Sequence, residues 1–150
     1  MSTIVVGVDG SDESTAALRW AIEEARLRSA PVLALHAWEL PVLATAGLGP
    51  PHEDLVTDLT GLKEGAEELV RTVAEEVTRG VNDVEVRAEA REGRPASVLI
   101  DAAEAENAQL IVVGPRGHGG VLGLLLGSVS EQVVRHAPCP VVVHRLLGGD

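Results

Sequence analysis

Short β-rich runs alternate with longer helical patterns along the whole chain, and few architectures accommodate that order. Ile4 to Asp9 is an apolar run that stops at Asp9-Gly10-Ser11, a strand ending in a turn. From about Asp12 to Ser29, Ala17, Leu18, Ala21, Ile22 and Ala25 recur at helical spacing. Pro31 breaks that helix, and Val32 to Trp38 reads as a second strand. Glu39 to Glu53, about fifteen residues rich in proline and glycine, reads as a surface loop of functional length. A long helix is expected from about Leu55 to Arg79, with Gly80 at its C-cap. Val84 to Ala90 is a third strand, Pro95 opens a helix through Glu106, and Leu110 to Gly114 is a fourth strand. Ser128 to His136 is a last helix and Val141 to Arg145 a last strand.

The order β-α-β-α-β-α-β-α-β implies a three-layer α/β domain: a parallel five-stranded open sheet with helices on both faces. The apolar runs Ile4–Val8, Leu110–Val113 and Val141–Val143 agree, because buried parallel strands have no polar face. The 150 residues read as one domain, 1–150, without an internal repeat. With two Trp and neither Phe nor Tyr, the core must be aliphatic, and the composition argues against a stacking platform for single-stranded nucleic acid. A net charge of −11 disfavours nucleic acid and acidic membrane surfaces, so a phosphate ligand needs a local cradle. The longest apolar stretch, Val121 to Leu126, is too short to span a bilayer, and the N-terminus enters a strand at once. A cytoplasmic protein with no membrane partner is expected. The one cysteine, Cys139, reads as a buried structural thiol.

The segment Gly114-Pro115-Arg116-Gly117-His118-Gly119-Gly120 leaves the fourth strand, and Gly127-Ser128-Val129-Ser130 opens the last helix. A stretch between a strand's carboxyl end and a helix's amino end is a natural anion site, because free N–H groups and the positive end of the helix dipole face outward there. Glycines allow a close backbone approach, a run of N–H groups forms a nest, and the hydroxyls of Ser128 and Ser130 add donors. Two plainer readings stand beside this one. Ser128 with Glu131 three residues on is a capping box, and the glycines can be a flexible connection. Neither a Walker A loop nor a G-x-G-x-x-G fingerprint is present.

The spacing Gly114-x2-Gly117-x9-Gly127-Ser128 resembles the nucleotide signature of the universal stress protein family, G-x2-G-x9-G-(S/T). Val6-Gly7-Val8-Asp9-Gly10-Ser11 resembles that family's first strand and turn, and Ala137-Pro138-Cys139-Pro140-Val141 its entry to the last strand. The resemblance implies a Rossmann-like fold of the adenine nucleotide alpha hydrolase type, strand order 3-2-1-4-5. The ends of strands one and four then meet at the switch point where open α/β sheets bind ligands. It further implies ATP, with Mg or Mn, as the ligand. Gly114, Arg116, Gly117, Gly127, Ser128, Val129 and Ser130 would line phosphates and ribose, and Val8, Ala37 and Val113 would surround adenine. Asp9 would contact the nucleotide directly or through its bound metal, its alternative role being to cap the first helix or brace the turn. Pro115 departs from the family pattern, deleting one N–H from the loop.

The chemistry of an efficient enzyme is not legible. There is no H-E-x-x-H, no G-x-S-x-G, and the one lysine, Lys63, sits on the long helix away from the proposed site. A phosphoryl-transfer centre uses a cationic clamp with metal-binding carboxylates, and only Arg116 and Asp9 qualify. His36 and His144, at strand ends, read as hydrogen-bonded structural imidazoles, while His118 lies in the loop. The leading expectation is a nucleotide-dependent stress-response regulator that is not an enzyme and acts through a protein partner the sequence does not identify. The alternative is an adenylyl-transferring or slow ATP-hydrolysing enzyme of the ATP pyrophosphatase-like group; a CheY-like receiver lacks its acidic cluster and late lysine. Val141-Val142-Val143, apolar at a sheet edge, predicts a homodimer through Val141–Arg145.

Overall fold

The structure, a computed structural model, describes residues 2–40, 53–115 and 126–146; the expected surface loop from Glu39 to Glu53 lies largely outside them. The elements follow the expected order: β1 (Ile4–Gly7), α1 (Asp12–Arg28), β2 (Val32–Trp38), α2 (Glu53–Val77), β3 (Val86–Glu92), α3 (Pro95–Ala105), β4 (Leu110–Val113), α4 (Ser128–His136) and β5 (Val141–Val143). They build a five-stranded sheet of order β3-β2-β1-β4-β5. Every neighbouring pair is parallel, with Ile4 opposite Val32 on one side and Leu110 on the other.

Period-two alternation along the strands divides the core into two layers. Ile4, Val6, Val32, Ala34 and Val112 face α1 and α2, where Leu18, Ile22 and Val70 meet them. Val5, Leu33, Leu35, Ile111 and Val113 face the other way, onto Leu99, Ala102 and Val133 of α3 and α4. A right-handed crossover puts the helix on one face when the chain steps outward to β2 and β3, and on the other when it returns to β4 and β5. The reversal falls between β1 and β4.

Local chemistry sets the element ends, and several differ from expectation by a residue or two. β1 stops at Gly7, although Val8 N–H still donates to Leu35 O at 2.8 Å. α1 begins behind Ser11, whose Oγ accepts from Ser14 N–H at 3.2 Å. It ends at Ser29 in a left-handed conformation, φ 52°, two residues before Pro31. Residues after α2 turn through Gly80 at φ 78°, a backbone that favours glycine, but the helix itself ends at Val77. The third strand starts at Val86 and runs to Glu92, two residues later at each end than the periodicity predicts. That shift arises because its register is set by pairing with all of β2, from Val32↔Val86 to Trp38↔Glu92.

The two sheet edges differ in chemistry. On β3, Arg87 and Arg91 pair with Glu89, and Arg87 Nη2 donates to Glu106 beyond α3 at 2.7 Å. Charges of this kind discourage strand addition. β5 carries three valines instead, each half-buried.

Candidate functional site

At the carboxyl ends of β1, β2 and β4 lies a cavity of about 350 Å³, within the range of small-ligand sites. Its floor and one wall are apolar: Leu35, Ala37, Val98, Leu99, Val113 and Val129. Polar groups converge from Asp9, Ser14, His36, Gly114 and Ser130.

Of the residues the sequence singles out, Val8, Asp9, Ala37, Val113, Gly114, Val129 and Ser130 line this one cavity. Gly127 and Ser128 stand at the amino end of α4 beside it but do not line it. Arg116 and Gly117, with His118, lie outside the described residues.

Asp9 forms the turn that ends β1. Its Oδ1 accepts from Ser11 N–H at 2.9 Å and from Ser11 Oγ–H at 2.5 Å. Of the two structural roles open to Asp9, bracing the turn is therefore observed, and capping belongs to Ser11. Gly10, at φ 84°, supplies the left-handed residue this turn requires, and a Cβ there would also press on Leu69. The braced turn keeps Asp9 in the cavity lining, which it shares with Gly114.

The base of the glycine-rich segment is closed by two hydrogen bonds. Pro115 O accepts from Gly127 N–H at 2.5 Å, and Gly114 O accepts from the buried Ser130 hydroxyl at 2.6 Å. Both bonds correct the sequence reading. The N-cap of α4 is Gly127, extended at φ −75°, ψ 169°; Ser128 is already the first helical residue and makes no capping bond. The capping box, one of the two plainer readings of this segment, is absent because Gly127, tied to Pro115, takes the half-in position one residue earlier. Ser130, expected as a free donor, gives its one proton to Gly114 and pins the segment's base. The exposed Ser128 hydroxyl carries no such duty. Gly114 has a packing role besides: a Cβ there would stand 3.3 Å from Glu13 Cβ in the first turn of α1.

Between β1 and β2 the ladder opens at the cavity. Val32 N–H donates to Glu85 O and Gly93 N–H to Trp38 O, so even residues of β2 turn their amides toward β3. Ala37 therefore turns its N–H and C=O toward β1. The rung that would follow Val8 N–H to Leu35 O runs from Ala37 N–H to Val8 O. That carbonyl accepts from His36 Nδ1 instead, at 2.8 Å. Among the described residues the Ala37 peptide edge is left without a β1 partner at the cavity, with one donor and one acceptor.

Sequence reasoning missed Gly7, Ser14, Leu35, His36, Pro95, Val98 and Leu99 as cavity residues. His36 is hydrogen-bonded as expected, but within β2 and at the site. His144 departs from expectation: its Nδ1 is buried without a partner among the described residues, and its ring lies 6.2 Å from that of Trp20. Cys139 is half-buried against the core beneath α4, and burial pushes its thiol up.

The model of the universal stress protein family matches residues 1–145. The chain belongs to that family. A universal stress protein of Thermus aquaticus is 41% identical over 145 residues, covering 95% of this chain and 98% of the relative. One of Mycolicibacterium smegmatis is 38% identical over 147 residues, 93% of this chain but 47% of the relative. The chain thus spans about half the length of that and several other curated relatives. Among solved structures, the universal stress protein UspA from Lactobacillus plantarum aligns at a TM-score of 0.78 with 26% identity, over 96% of this chain and 97% of that one. A universal stress protein in complex with cAMP aligns at 0.65 with 27% identity, over 96% of each chain. The Archaeoglobus fulgidus protein in complex with dAMP aligns at 0.57 with 27% identity, over 96% of this chain and 98% of that one.

Proposed function

We propose that this universal stress protein binds ATP in the cavity between β1 and β4, and that the nucleotide sets its conformation or its choice of protein partner in a stress response. The observation that carries the proposal is the open Ala37 edge above an apolar slot, facing the end of α4 across the switch point. Adenine fits the donor–acceptor pair: its N1 accepts where Ala37 N–H donates, and its amine donates where Ala37 C=O accepts. Val8, Val113 and Val129 would flank the ring and ribose, as the G-x2-G-x9-G-(S/T) spacing implies. The amino end of α4 and the Ser128 hydroxyl suit phosphates, and the motif spacing assigns Gly117 and Arg116 to the same ligand groups. That two relatives are solved with cAMP and with dAMP supports an adenine nucleotide.

A divalent metal would arrive with the phosphates. Among the described residues no group of three or more His, Cys, Asp or Glu could hold one alone. Asp9, which lines the cavity, would be the carboxylate to meet a Mg or Mn ion on the nucleotide, and that ion would neutralise phosphate charge in an acidic chain.

We read the protein as a binding module rather than an enzyme. The sequence offers only Arg116 and Asp9 toward the cationic clamp and metal-binding carboxylates that a phosphoryl-transfer centre uses. A homodimer through the β5 edge, a cytoplasmic setting and a protein partner complete the proposal. Among the described residues no helix is long and apolar enough to cross a membrane. Calorimetry with ATP, AMP, cyclic AMP and GTP tests the reading, with pyrophosphate and phosphate release followed in parallel. Saturable ATP binding without turnover is expected; rapid pyrophosphate release with a test acceptor would favour the adenylyl-transfer alternative, and no binding would reject the site.

A further inference from the structure

Recognition of adenine at this site depends on one main-chain amide staying unpaired, and the geometry points to His36 as the positioning residue that keeps it so. The inference rests on the adenine-nucleotide reading above. Parallel strands zip rung by rung, and the next rung would fall at Val8, which lies opposite His36 when the register of Gly7 with Leu35 is extended. The Val8 carbonyl is the acceptor that rung would use, and it is held by His36 Nδ1 at 2.8 Å. A carbonyl only accepts, so Nδ1 carries the hydrogen and the imidazole is fixed in one tautomer. The side chain thus takes the place at the Val8 carbonyl that Ala37 N–H would otherwise fill. Beyond Val8 the chain leaves through the Asp9–Ser11 turn, so β1 offers Ala37 no other partner.

The consequence is base selectivity. An open N–H beside an open C=O complements the Watson–Crick edge of adenine. Guanine presents a carbonyl and an N–H in the reverse order, and both would meet like groups. Were the rung to close, the donor would be lost to both bases and the preference for adenine would shrink.

His36→Phe keeps a flat ring but removes the donor, and His36→Gln returns an N–H that can reach a carbonyl. Amide hydrogen exchange at Ala37 without ligand is compared with calorimetry for ATP and GTP. In His36→Phe, Ala37 exchange is expected to slow at least tenfold as its N–H closes onto Val8. The ATP Kd is expected to rise about tenfold, about 1.4 kcal/mol, with GTP little changed. His36→Gln should move both readouts back toward wild type. Wild-type Ala37 exchange and an unchanged ATP-to-GTP ratio in His36→Phe would overturn the inference while leaving the adenine reading intact. If the wild type binds no adenine nucleotide, that reading falls, and the inference falls with it as a recognition device. If His36→Phe does not fold, the wild-type protein decides: Ala37 should exchange much faster than Leu33 and Leu35, and equal protection would overturn the inference.

Discussion

Two serines two residues apart at the start of α4 separate the structural account from the simplest motif reading. Ser130 is buried, and its hydroxyl reaches Gly114 O at 2.6 Å. Removing that hydroxyl strips a donor from the carbonyl of half-buried Gly114, which costs about 1–3 kcal/mol, while alanine's better helix propensity returns roughly 0.5 kcal/mol. Ser130→Ala should therefore lose on the order of 1–2 kcal/mol. For a chain of this length that lowers Tm by roughly 2–8 °C. Ser128 is exposed, sits at the first helical position and makes no capping bond. Ser128→Ala should stay within about 0.5 kcal/mol of wild type. A capping box at Ser128 would instead predict a loss of about 1 kcal/mol. Urea unfolding with Tm measurements on both variants decides, and ATP calorimetry adds a second axis. Ser128→Ala should weaken ATP binding with stability intact, because its hydroxyl is available to phosphate. If Ser128→Ala unfolds easily and Ser130→Ala does not, α4 starts a residue later than described and the closed base of the segment is wrong.

Other consequences follow from particular contacts. Gly10→Ala forces a Cβ onto a φ of 84° and against Leu69, and should cost about 1–2 kcal/mol in chemical denaturation while loosening the Asp9 turn. On β5, Ile111 N–H donates to Pro140 O and His144 N–H to Val113 O, so Val141 and Val143 turn their amides outward. Val143→Pro deletes an outward donor without breaking a rung to β4, and should convert a dimer to monomer in sedimentation with the circular dichroism of the sheet preserved. The Arg87 guanidinium, then the Thr3 hydroxyl, hold Glu106 below its ordinary value of 4.5. A lowered carboxylate stabilises the fold above that value and ceases to as the pH falls through its depressed one. Glu106→Gln should thus cost about 0.5–1 kcal/mol at neutral pH and progressively less as the pH falls below 4.5 in urea titrations.

The order of elements is legible in the sequence because apolar strand runs and helical periodicity are local signals, and Pro95 and Gly80 punctuate them. The location of the cavity is legible too, since a parallel sheet exposes its carboxyl ends at the strand-order reversal. Detail set by contacts distant in sequence is not. Gly127 and Ser128 are both acceptable N-caps, and the choice is made by Pro115, a neighbour only once the segment has closed. His36 bonds Val8 because of the β1–β2 register, which its own surroundings in the chain do not encode. Val98 and Leu99 carry the periodicity of a buried helix face; nothing local says that this face ends at a cavity. His144 shows the converse, since a strand-end histidine is normally satisfied, and here tertiary packing puts its ring against Trp20 and leaves Nδ1 unpartnered.

The central claim is that an adenine nucleotide lodges at the carboxyl ends of β1, β2 and β4. Titrating the labelled protein with ATP and magnesium, while following each backbone amide by NMR, tests it most directly. The account predicts saturable shifts centred on Asp9, Ala37, Gly114 and Val129, with the charged β3 edge around Arg87 and Glu89 unmoved. Shifts centred on that edge, or none on saturating ATP, would contradict it.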